Sequence, residues 1–218
     1  MRRLIFPILL GVSGCAVLIW LGVWQLQRLE WKTAILSQIE DRIAAAPAGL
    51  PETPDPEADR YRPAIVEGEI AGPGLRVLVT PDGLGPGHRR IFRFEIGGRS
   101  ILLDAGWAPL EGGAVPEGPI EVTGNLHWPQ EVDGWTPEPD GDLWFARDVG
   151  AMAAALGTEP VMLVARTLSE PGGLTPVPVG TAGIANNHLE YAITWFGLAL
   201  VWAAMSVYLL VRTVRRTA

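Results

Sequence analysis

The sequence predicts an α+β protein in which two transmembrane helices, one near each end, flank an antiparallel β-rich domain of barrel-like character on the outer side of a membrane. Two observations at the ends and one in the middle carry this. Residues 4–26 and 191–211 form uncharged apolar runs, each long enough to cross a hydrocarbon core of about 30 Å at about 1.5 Å per residue. Between them lie short apolar or alternating runs punctuated by Gly and Pro, the pattern of short strands and frequent turns.

The first run follows Met1-Arg2-Arg3, which resembles the start of a signal peptide. It is longer than a usual signal core, and no small-residue cleavage site follows, so it reads as a retained anchor. Residues 27–46 continue it as a helical extension, with Ile35, Ile39 and Ile43 at i, i+4 and i+8. A Pro- and acid-rich linker, 47–59, opens the domain at 47–185. Strands are expected at Arg62–Ile70, Leu75–Thr80, Ile91–Ile96, Ser100–Ala105, Ile120–His127 and Pro160–Leu168, with a helix from Asp148 to Leu156. The second span, 191–211, ends at Arg212, Arg215 and Arg216 in a tail of residues 212–218.

Charge sets the expected orientation. The three C-terminal arginines, opposed by only Glu190 and His188 at the other end of that run, place the C-terminus in the cytoplasm by the positive-inside rule. Two spans then return Arg2 and Arg3 to the same side. Residues 33–187 hold 22 acidic against 10 basic side chains, which suits an exported domain and argues against nucleic acid as a partner. The lone Cys15 lies in the first apolar run, so the chain can form no internal disulfide and no Cys-rich zinc site.

Catalytic signatures are missing. Gly83-Leu-Gly85-Pro-Gly87 lacks phosphate-loop spacing and reads as a hairpin loop. Asp140 and Asp142 read as solvated turn carboxylates, and His88 and His127 as surface or hydrogen-bonding histidines. The expectation is a protein that is not an enzyme.

Two constellations flank the membrane on its outer side. On a helix, Trp24, Arg28, Trp31 and Lys32 fall at i, i+4, i+7 and i+8, an aromatic and cationic face. In the second, His188, Tyr191 and Trp195 share a stripe at i, i+3 and i+7, beside Asn186 and Asn187. Trp and Tyr also gather at membrane interfaces because they are amphipathic, and a histidine there also serves as a helix cap bonded to a neighbouring asparagine. Spacing alone leaves these readings open.

The runs Trp24-Gln25-Leu26-Gln27-Arg28-Leu29-Glu30-Trp31-Lys32 and Asn186-Asn187-His188-Leu189-Glu190-Tyr191-Ala192-Ile193-Thr194-Trp195-Phe196 resemble the two terminal signatures of the Surf1 family. The middle is similar too: Gly68 in the first strand, Asp104-Ala105-Gly106-Trp107-Ala108-Pro109, and Leu143-Trp144-Phe145-Ala146-Arg147-Asp148. Ala105 departs from the Arg that relatives commonly carry before Gly-Trp. The resemblance, which covers essentially the whole chain, implies a bacterial inner-membrane assembly factor for haem-copper cytochrome oxidase. Its implied partners are oxidase subunit I, haem a synthase and the lipid bilayer.

It further implies that haem a binds transiently, with His188 as axial ligand and as metal contact only through the haem iron. Imidazole is a common ligand of haem iron. Arg28 and Lys32 would face the propionates, and Trp24, Trp31, Tyr191 and Trp195 would pack the ring. Two other readings are a structural assembly scaffold without a cofactor, and a copper carrier. The last fits poorly with one cysteine and scattered methionines.

Overall fold

The computed structural model describes residues 2–217, with side chains described from 5 to 215. The side chains of Arg2, Arg3, Leu4 and Arg216, on which the spans and their orientation draw, lie outside the described residues. In chain order the elements are α1 (Arg2–Ala44), β1 (Pro63–Val79), β2 (Gly87–Ile96), β3 (Arg99–Pro109), β4 (Pro119–Leu126), β5 (Leu143–Trp144), α2 (Val149–Leu156), β6 (Met162–Leu168) and α3 (His188–Thr217). They form two compact units, one of Met1–Gln38 with Thr181–Ala218, the other of Ile39–Gly180. The expected α+β class, with two long apolar helices around a β-rich domain, is the class observed.

The first unit is a helix pair. Ile5–Ala44 and His188–Arg215 are long and apolar enough to cross a membrane, and their most apolar stretches are only 11% and 6% buried. A soluble core helix would be mostly buried. Apolar surface left open on this scale fits a membrane protein. The two helices run antiparallel, because contacts step in opposite directions along them: Gly11 with Ser206, Gly14 with Trp202, Gly22 with Phe196, and Gln25 with His188.

Small residues set that pairing. Buried or half-buried positions on α1 recur at 11, 15, 18, 22, 25, 29 and 32, a heptad seam. In a bilayer, where helix association depends on close packing, glycine allows it. A Cβ on Gly14 would lie 2.2 Å from the Trp202 indole nitrogen, and one on Gly22 2.7 Å from the Phe196 ring. Ala199 is buried, and the Cys15 thiol lies 3.9 Å from its carbonyl oxygen.

The second unit is a five-stranded barrel. Strands lie in the order β2-β3-β6-β4-β1, and β1 also pairs with β2, which closes the ring; β5 adds to β1 outside it. The neighbours β4-β1-β2-β3 form a Greek key. Ile91, Phe92, Phe94, Ile101, Leu103 and Leu163 form a core from which solvent is excluded.

Three features depart from the expected strands. Arg62–Ile70 and Leu75–Thr80 are one 17-residue strand, β1, whose first half pairs with β4 and second half with β2. Residues 72–74 bulge opposite Phe92 at the crossing, with Gly74 at φ +72° and its missing Cβ position 2.5 Å from the Ile91 carbonyl oxygen. The pairings β3–β6 and β1–β5 are parallel within an otherwise antiparallel sheet. Ala105 is the extra residue of a second bulge, between the pairs Ile91–Asp104 and Arg90–Gly106, and it is fully buried. A small side chain suits that place.

The expected helix forms as α2. Asp148 caps it by accepting from the Ala151 N–H at 3.0 Å, and Gly157 ends it in the left-handed region. Met152 and Ala153 bury its inner face in the barrel core. In the same unit, the last turn of α1 is satisfied by side chains, since Asn125 Nδ2 and Arg166 Nη2 donate to the Ile43 carbonyl at 3.1 and 2.7 Å.

Candidate functional site

His188 begins α3 opposite Gln25, which lies in the seam of α1. His188 Nδ1 is 2.7 Å from Gln25 Oε1. An amide oxygen only accepts, so Nδ1 donates and Nε2 is the ring nitrogen left for another partner. Among the described residues no hydrogen bond occupies Nε2. An imidazole fixed through Nδ1–H, with Nε2 free, is the arrangement of a metal-ligating histidine and its supporting acceptor. The bond runs to Gln25 rather than to Asn186 or Asn187. Gln25 was the residue that pattern reasoning left without a role. Its signal was present: a glutamine inside an uncharged apolar run, three residues after Gly22 and seven before Lys32 on the seam.

The four residues expected on one face of α1 divide into two settings. Arg28 sits between two indoles, 5.8 Å from the Trp24 ring centroid and 4.9 Å from that of Trp31, cation–π contacts worth about 0.5–1 kcal/mol each when exposed. Lys32 turns into the seam, where its ammonium donates to the Ala185 carbonyl. Trp24, Trp31 and Tyr191 are all well exposed, so three aromatic faces remain open beside the cation. Trp195 is half-buried and its Nε1 has no partner, and the same holds for Asn186 Oδ1. A buried donor and acceptor left unpaired cost free energy that a polar ligand edge would recover.

This donor set fits a haem. It offers one ring nitrogen for the iron, an open cation for carboxylate arms, aromatic faces for the ring, and a setting at the end of two apolar helices. Among the described residues there is no group of three or more His, Cys, Asp or Glu side chains that would hold a bare metal ion.

The barrel unit holds a second polar cluster, which the sequence reading had not assembled. Asp104 is fully buried and accepts from Arg89 Nε at 3.3 Å, Arg147 Nη1 at 2.9 Å and the Gly106 N–H at 3.2 Å. Arg147 also pairs with Glu131. Burial alone would lower the Arg147 pKa, yet the bonds to Glu131 and the charge of Asp104 hold it above its ordinary value. Burial likewise opposes ionisation of Glu131, but Arg147 keeps it below the usual carboxylate range.

The two barrel histidines are not surface groups. His88 is buried. His127 stacks on Tyr61 with centroids 5.4 Å apart, and its Nδ1 has no partner. Burial first, then the Arg147 and Arg60 charges, push His127 down to about 4, so it stays neutral at physiological pH. Asp142 forms a two-pronged pair with Arg76 at 2.7 and 2.8 Å rather than standing free in its turn.

Two membrane-type helices, sealed by a small-residue seam and bracketing a Greek-key barrel in sequence, define a class of membrane protein with an inserted β-domain. The chain belongs to the SURF1 family, whose sequence pattern matches residues 13–200. It is 31% identical to Surfeit locus protein 1 of Rattus norvegicus over 90% of this chain and 72% of that protein. Surfeit locus protein 1 of Homo sapiens is 29% identical over 82% and 69%. A SURF1-like protein of Monosiga brevicollis is 28% identical over 87% and 82%.

Proposed function

We propose that this protein is a bacterial inner-membrane assembly factor for haem-copper cytochrome oxidase, one that carries haem a toward subunit I without catalysing a reaction. The observation that carries this reading is the 2.7 Å pairing of His188 with Gln25, which leaves Nε2 as the free nitrogen at the end of a membrane helix. Bound haem a would supply an iron that accepts an imidazole nitrogen and a ring that is apolar at one edge and carboxylated at the other. His188 would hold the iron, and Gln25 would keep the imidazole in the ligating tautomer. Arg28 would face the propionates from its place between Trp24 and Trp31, while Trp195 and Tyr191 would pack the ring. Lys32 would contribute after releasing the Ala185 carbonyl.

A single replaceable nitrogen suits a carrier, which must release its cargo. The charge asymmetry supports an orientation with both termini cytoplasmic and the barrel periplasmic. Haem a synthase would be the donor and subunit I the acceptor.

The test is to express the full chain in cells that make haem a, purify it in detergent and record its optical spectrum. A Soret band that His188→Ala removes, with insertion and folding intact, is the expected result. Wild-type protein free of haem under those conditions would replace this reading with a cofactor-free assembly scaffold.

A further inference from the structure

The aromatic face beside His188 does not stop at the membrane boundary. On α1 the stripe of Trp24 and Arg28 continues at heptad spacing through Leu21 and Val17 to Leu10. On α3 that of Tyr191 and Trp195 continues through Leu198 to Trp202 and Met205. The far ends of both stripes bound one apolar groove of about 340 Å³, lined by Phe6, Leu10, Trp202, Met205 and Leu209 among others. Trp202 is a fixed wall of it, because its Nε1 donates to the Gly11 carbonyl at 3.2 Å and its ring fills the space that Gly14 leaves. A second apolar groove, lined by Ile8, Cys15 and Val207, opens on the opposite side of the pair. There Phe196, packed over Gly22 and one heptad before Ala203, stands between the groove and His188.

We propose that the groove between Leu10 and Met205 holds the isoprenoid arm of the haem whose iron His188 ligates. This rests on the haem a reading. Trp202 lies fourteen residues, about 21 Å of helix, from His188, a span comparable with an extended farnesyl arm measured from the iron. Lipid chains are as apolar as the groove, so hydrophobicity alone selects neither occupant. Tethering does. A ring held at His188 keeps its own arm at high effective concentration along one side of the helix pair, and Phe196 obstructs the other.

The test compares two haems that differ in the arm alone: haem o, which carries it, and haem b, which does not. Both are titrated into the purified full chain in detergent, and binding is read from the Soret band. Wild-type protein is expected to bind haem o at least about tenfold more tightly than haem b. Met205→Trp, at a position 59% exposed, fills the groove and reduces that preference to within about threefold, with haem b affinity unchanged. Val207→Trp, also 59% exposed but on the opposite groove, leaves the preference as in wild type. A preference that survives Met205→Trp, or falls equally in Val207→Trp, overturns the groove assignment alone. Equal loss of haem b and haem o affinity in Met205→Trp overturns it too, because the arm is then not what the groove reads. Wild-type protein that binds neither haem removes the haem a reading and this inference with it.

Discussion

Gln25 and His188 are 163 positions apart in sequence, yet their side chains share one hydrogen bond across two antiparallel helices. That bond leaves Nε2 as the free imidazole nitrogen, so the ligating role proposed for His188 depends on α1 as much as on α3. Gln25→Leu is therefore expected to weaken haem retention by about 10- to 100-fold, the range for lost support behind a metal-ligating histidine. Gln25→Glu, which keeps an acceptor, should restore most of it. Haem bound per purified protein measures both, and equal retention in Gln25→Leu and wild type would refute the supporting role.

The helix seam makes its own prediction. Gly14→Val forces a branched side chain into the space of the Trp202 ring, whereas Gly197 has open space around its Cβ position. Thermal unfolding in detergent should drop clearly for Gly14→Val. Gly197→Ala should hold or gain about 0.5–1 kcal/mol from helix propensity. Equal melting of the two variants would mean that the seam does not hold the helices together.

In the barrel, Asp104 balances Arg89 and Arg147 away from water. Asp104→Ala leaves two buried guanidinium groups facing each other, at an expected cost of about 3–5 kcal/mol. Glu67→Ala, on an exposed strand position, should change stability by less than about 0.5 kcal/mol. Chemical denaturation monitored by tryptophan fluorescence compares them.

His127 gives a pH dependence with a defined sign. Its folded pKa is about 4, below the model-peptide value of 6.5, so the unfolded chain binds more protons between those values. Stability is full above the upper value and falls as pH drops toward the lower one. His88, also lowered by burial and by Arg76 and Arg90, adds to the slope. The readout is therefore the difference between wild type and His127→Gln, whose midpoint should fall less between pH 7 and pH 5. Parallel profiles would sink the assignment.

For orientation, a reporter fused after Ala218 should be active only as a cytoplasmic reporter, and one inserted at Asp82 only as an exported one. An exported C-terminus overturns the two-span arrangement.

Much of this architecture was legible because each signal was local. Uncharged runs mark the spans, alternating or continuous apolar runs mark β2, β3, β4 and β6, and Asp148 announces α2 through its cap. What escaped was non-local. Gly72-Pro73-Gly74 reads as a turn between two strands, yet the chain bulges there and continues as one strand, because each half of β1 pairs with a different neighbour. The two-residue β5 carries no periodicity and exists through its pairing with Arg76 and Val77. Trp24, Arg28 and Lys32 share a helical face by spacing, but the Ala185 carbonyl, in the segment ahead of α3, draws Lys32 into the seam. The site residues were legible as types and the partner of His188 was not, since a hydrogen bond across helices leaves no spacing to read.

The position of β6 bears on how the barrel comes into being. That strand, Met162–Leu168, sits between β3 and β4 and pairs with both. Until it is in place, β3 and β4 each present an unpaired edge, the kind of surface that recruits strands from other chains. Closure therefore waits for nearly the whole domain to be delivered, and the many contacts between distant parts of the chain predict slow folding. During that interval the nascent protein is exposed to mispairing, and its biogenesis has its own need of protection.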